Sequence, residues 1–107
     1  MIEFSKAKVK LLQSVVSNDN DNVDAVVTLP TGESRTVTFF TLKNISSILA
    51  GYAATGECLS GKFFWAKDMV IVRDLSRATI EAVVAEMIQN GEYDVAFGHA
   101  SPSSLQD

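Results

Sequence analysis

A chain of 107 residues, 47% hydrophobic and 21% charged, is long enough for one domain and too apolar to stay disordered. Its single cysteine, Cys58, excludes an internal disulfide, and no apolar run reaches the length of a membrane span. The net charge of −4 comes wholly from residues 55–107, with four basic against eight acidic side chains; this argues against nucleic acid as the main partner and favours solubility.

Residues 6–17 alternate as a strand, with Val9, Leu11 and Val15 on one face and Lys6, Lys8 and Lys10 on the other, the pattern of a guarded edge. Asn18 to Asn22 consists entirely of Asn and Asp and predicts a loop. Alternation resumes through Val23, Ala25, Val27 and Leu29. Pro30, Thr31 and Gly32 then supply a turn, with proline presetting one dihedral and glycine free to take positive φ, and residues 34–40 return. The first third is expected to be a three-stranded antiparallel meander.

From Leu42 the period lengthens. Leu42, Ile45, Ile48, Leu49 and Tyr52 sit at helical spacing, with Thr41 as N-cap and Gly56 as the stop. Gly51 inside this helix costs about 1 kcal/mol relative to alanine, which predicts a short or frayed helix. Residues 62–66 and 69–73 read as two strands joined at Lys67 and Asp68. Ser76 caps a helix over 77–90, in which Ile80, Val83, Val84, Met87 and Ile88 form one apolar arc opposite Ala78, Ala82 and Ala85. Residues 92–97 alternate as a last strand, with Tyr93, Val95 and Phe97 facing one way and Glu92, Asp94 and Ala96 the other. Residues 1–98 are thus expected to form one α+β domain of order βββ-α-ββ-α-β. Its mainly antiparallel sheet has about six strands with two helices, and 99–107 form a flexible tail.

Residues 56–62 match G-x-x-x-x-G-K, but Phe63 stands where a phosphate loop needs Ser or Thr, and the helix precedes the glycines instead of following them. The segment Asp19 to Asp24 resembles the start of a calcium loop. It carries Asp24 and Pro30 where that loop needs glycine and glutamate. One histidine, His99, and one cysteine, far apart in sequence, assemble neither a nucleophilic pair nor a dedicated zinc site. No catalytic residue, cofactor or metal ligand is assigned, and an enzyme is not expected. The opening six residues lack a positive leader followed by an apolar run, so the expected location is cytoplasmic, with no membrane contact.

Two aromatic runs remain, Phe39-Phe40 and Phe63-Phe64-Trp65. Successive side chains of a strand point to opposite faces, so neither run can bury all its rings against one core. Two helices have little material to cover both faces of such a sheet. The expected function is therefore a small protein-interaction module of the inhibitor, toxin-neutralising or adaptor type. It binds a protein partner through Phe40, Phe64 and Trp65, with Glu92 and Asp94 as an acidic rim, and self-associates as a homodimer. The alternative is small-molecule binding or minor enzyme activity in an apolar pocket between sheet and helices, lined by Tyr52, Phe63, Trp65 and Tyr93.

Overall fold

The computed structural model describes residues 7–99; Lys6 and the expected tail beyond His99 lie outside the described residues. Strands β1 (Lys8–Leu11), β2 (Asn22–Thr28) and β3 (Ser34–Thr41) form the expected antiparallel meander, with Val9 opposite Val27 and Ala25 opposite Val37. The β2–β3 turn uses its proline and glycine as the sequence requires. Gly32 takes φ 95° and its N–H donates to the Leu29 carbonyl at 2.8 Å.

Strand β1 is shorter than the alternation of residues 6–17 suggests. The Gln13 side chain accepts from the Asp24 N–H (2.8 Å) and donates to the Asp24 carboxylate (3.2 Å), drawing the chain off the ladder into a loop. That loop is pinned at its far end by Asp21, whose carboxylate accepts the N–H groups of Val16 and Asn22, both at 2.8 Å. These two bonds hold the Asp21 carboxyl below the ordinary carboxylate range.

Helix α1 (Leu42–Thr55) starts at Thr41, whose hydroxyl accepts the Asn44 N–H at 3.2 Å, and stops at Gly56, where φ is 91° and the N–H reaches the Tyr52 carbonyl. It runs its full 14 residues through Gly51, which sits on an exposed face with open space where a Cβ would be. The short turn α2 (Glu57–Gly61) follows; its Cys58, Leu59 and Ser60 are left-handed, with φ of 50°, 54° and 56°. Strand β4 (Met69–Val72) then lies parallel to β3, with Val70 beside Phe39 and Ile71 beside Phe40. Helix α3 (Arg77–Gln89) follows its expected cap at Ser76. The one-turn α4 (Tyr93–Ala96) and the short β5 (Gly98–His99), antiparallel to β3 at Arg35 and Thr36, complete the five-stranded sheet.

The result is an α+β domain with a mainly antiparallel sheet, and two expected strands are absent from it. Among the described residues, 62–66 pair with no strand: Phe64 folds back over Phe40 instead, and Asp68 leaves the turn at φ 56° with its carbonyl accepting the Thr38 N–H. Residues 92–97 do not form a strand either. Ala96 and Phe97 donate to the carbonyls of Glu92 and Tyr93 instead, closing a helical turn. The inner face of the sheet (Val9, Val23, Ala25, Val27, Val37, Phe39 and Val72) packs on Ile80, Val84 and Ile88 of α3, closed by Leu75 and Phe97. Val83 and Met87 complete the expected arc as partly buried neighbours. No helix of the described residues is long and apolar enough to cross a membrane.

The start of α3 carries an acid-sensitive element. Hydrogen bonds from Ser76, through its hydroxyl and its N–H (2.9 Å), and from the Thr79 hydroxyl lower the Asp74 carboxyl from 3.8 to about 2. A depressed carboxylate stabilises the fold above its unfolded pKa, and that contribution disappears as the pH falls through the folded value. Thermal unfolding followed by circular dichroism should therefore lose stability between pH 3.8 and about 2. Asp74→Asn should flatten that part of the profile, and an unchanged acid slope in the variant would refute the assignment.

Candidate interaction surface

Alternation along β3 sends Phe39 into the core and Phe40 to the opposite face. Phe40 is nevertheless only 5% exposed, because Phe64 lies over it edge to face, with centroids 5.3 Å apart and planes at 66°. The expectation that Phe40 faces a partner is corrected here: it is covered by Phe64 inside one copy, while Phe64 itself stays half-exposed. The alternation of the second run survives without a ladder. Phe64 turns inward and half-buried, while Phe63 (45%) and Trp65 (72%) are left in solvent on either side of it.

The surface around them is built by α1 and α2. None of the residues of α1 is buried. Ile45, Ile48, Leu49 and Tyr52 are half-covered, and Leu42, like Leu59 of α2, is largely exposed. The helix packs chiefly on the α2 turn, where Gly61 approaches so closely that a Cβ would collide with the backbone of Leu49 and Ala53. The helix α1, which starts directly after β3, the α2 turn packed on it and residues 62–66 make up an arm. Ile71, the register neighbour of Phe40, is 49% exposed.

The opposite end of β3 is organised by a residue that composition alone does not single out. Arg35 shares the inner face with Val37 and Phe39 and is 1% exposed. Its guanidinium donates to the carbonyls of Gly98 (3.0 Å), Asp94 (2.9 Å) and Phe97 (2.9 Å), pairs with the carboxylates of Asp94 (3.2 Å) and Glu33 (3.4 Å), and lies 5.3 Å from the centre of the Tyr93 ring. A helical turn offers free carbonyls at its C-terminal end, whereas a strand would spend them in a ladder. This demand for acceptors explains why residues 93–96 coil. The parity of Arg35 with Val37 and Phe39 was the available signal, a charge on the apolar face of a strand.

The sequence-derived candidates therefore separate into two groups. Phe40, Phe63, Phe64 and Trp65 gather at one end. Tyr93 and Asp94 surround Arg35 at the other, five residues along β3 and roughly 17 Å away. Glu92 is exposed nearby, its carboxylate accepting from the Asn90 amide at 2.9 Å. Glu92 and Asp94 thus share no strand face and do not rim the aromatics. Tyr52 stays on the arm, so Tyr52, Phe63, Trp65 and Tyr93 do not converge on one pocket. A groove of about 290 Å³ lies instead on the outer sheet face, lined by Leu12, Asp24, Val26, Thr36, Thr38 and Asp68. Its acids are engaged locally, Asp24 by Thr38 (2.6 Å) and Asp68 by Thr36 (3.5 Å).

No family model, curated protein or solved structure matches this chain. The assignment of roles therefore rests on geometry. Arg35→Met should lower stability by about 3–5 kcal/mol in urea unfolding, because it leaves the carbonyls of Gly98, Phe97 and Asp94 without their donor at once. A loss below about 1 kcal/mol would mean the guanidinium is not what holds the last turn in place.

Proposed function

We propose that this chain is a non-enzymatic protein-interaction module that self-associates through the surface centred on Phe63 and Trp65. The observation that carries the reading is the arrangement of the second aromatic run: Phe64 is locked onto Phe40, and the rings flanking it, Phe63 and Trp65, are held open to solvent. Large rings placed on a fixed platform lose little conformational freedom on binding, and such aromatic anchors dominate interface energies. Leu42, Leu59 and Ile71 are further large apolar side chains left exposed. A further support is α1 itself. A 14-residue helix is marginal in water on its own, and this one lacks a buried face within the subunit. Covering it with a second copy would supply that face, and a two-fold contact is the commonest way to do so.

In this reading Phe40 is the support beneath the contact and not the contact itself. The test is solution mass by light scattering over a concentration series. The parent chain is expected to be dimeric at high concentration, and Phe63→Ala/Trp65→Ala to stay folded by circular dichroism while its dissociation constant rises about tenfold or more. A parent that is monomeric throughout, or a double variant that dimerises like the parent, would defeat the proposal.

A further inference from the structure

The joint between α3 and α4 carries a chemistry that the aromatic surface does not use. Asn90 is followed by Gly91, and none of the other four asparagines, Asn18, Asn20, Asn22 and Asn44, precedes a glycine. Both residues of the pair are exposed, and Gly91 (φ 84°) has open space where a Cβ would stand. Its N–H is engaged by a 3.3 Å bond to the Ile88 carbonyl. A backbone nitrogen unscreened by any side chain thus stands next to a side-chain amide, the pairing that makes an asparagine labile. The amide itself is tied down. Its Nδ2 donates to the carboxylates of Glu92 (2.9 Å) and Glu86 (3.4 Å), and its Oδ1 accepts the Glu92 N–H at 2.9 Å.

We infer that Asn90 is a self-modification site: the chain deamidates at Asn90–Gly91, and the product loosens the turn that Arg35 holds. The Gly91 nitrogen attacks Cγ of Asn90. The new N–Cγ bond closes an imide ring, the Cγ–Nδ2 bond breaks, and Nδ2 leaves as ammonia with the proton released by the Gly91 nitrogen. Solvent water then adds to one of the two ring carbonyls. Opening at the side-chain carbonyl leaves aspartate at position 90; opening at the main-chain carbonyl routes the backbone through the side chain and lengthens it by a methylene. Ring closure requires Asn90 to rotate away from ψ 0°, so it proceeds when the cap opens, and helix ends open readily.

Both products fit the joint poorly. Where the amide donated to two carboxylates, a third carboxylate faces Glu86 and Glu92. It stands at the C-terminal end of α3, where the helix dipole favours cations, and residues 78–107 contain no lysine or arginine to offset it. The lengthened backbone shifts α4 relative to α3. That segment supplies the carbonyls of Asp94, Phe97 and Gly98 that bond Arg35.

The test ages the full chain at mildly alkaline pH and follows residue 90 by peptide mass mapping, with released ammonia assayed alongside. Position 90 is expected to convert to aspartate and isoaspartate while Asn18, Asn20, Asn22 and Asn44 keep their amides. Glu92→Ala frees Nδ2 from its nearer acceptor and should quicken the conversion; Asn90→Gln, whose longer side chain closes the ring poorly, should abolish it. Asn90→Asp should raise the unfolding equilibrium constant about fivefold in urea, and adding Glu86→Gln and Glu92→Gln should restore most of the loss. If Asn90 keeps its amide as long as the other asparagines, the site is overturned, and this arm needs no variant. An unchanged rate in Glu92→Ala overturns the hold of Glu92 on the amide. An Asn90→Asp chain as stable as the parent, or one that the glutamine substitutions do not rescue, overturns the repulsion at the joint.

Discussion

Strand β3 imposes the constraint from which the rest of the architecture follows. It runs through the middle of the sheet with β2 on one side and β4 and β5 sharing the other, so no third partner can pair with it. Its two-residue period commits Arg35, Val37 and Phe39 to the helix-covered side and Phe40 to the other. Each of these commitments has to be answered elsewhere in the chain. Phe39 is met by the core under α3, Arg35 by a coil of carbonyls near residue 97, and Phe40 by a ring delivered from residue 64. The three answers come from segments separated widely in sequence, which is how one strand organises a small domain.

What local pattern could reveal and what it could not divide along the same line. The meander was legible because alternation and the Pro30-Thr31-Gly32 turn are near-neighbour signals. Both long helices were legible from their caps at Thr41 and Ser76 and from apolar spacing. Residues 62–66 alternate as a strand would, and their side chains do alternate in exposure, yet Phe64 is drawn back over Phe40 and the segment joins no ladder among the described residues. Residues 92–97 carry a clean two-residue pattern that a buried guanidinium 59 positions away overrides. Neither failure concerns propensity; both arise from partners remote in sequence.

The candidate surface was half legible for the same reason. Two aromatic runs on a strand signal a problem of coverage, and that problem exists in the fold. Its solution differs from the expected one, since rings from the two runs meet each other and leave the flanking Phe63 and Trp65 exposed. The acidic residues near the end of the chain looked like a rim from sequence, but Asp94 is drawn to Arg35 instead. The buried Arg35 thus fixes the position of the last turn, with the Asp94 carboxylate left largely exposed beside it.

The left-handed turn at Cys58, Leu59 and Ser60 has a consequence for how the molecule comes apart. Each such residue costs roughly 1–2 kcal/mol relative to right-handed geometry, and here three stand in a row beneath a helix with no buried side chain. Cohesion is accordingly uneven. The sheet and α3 share the buried interior, whereas α1 and its turn contribute no buried side chain to it and have little packing to offset that cost.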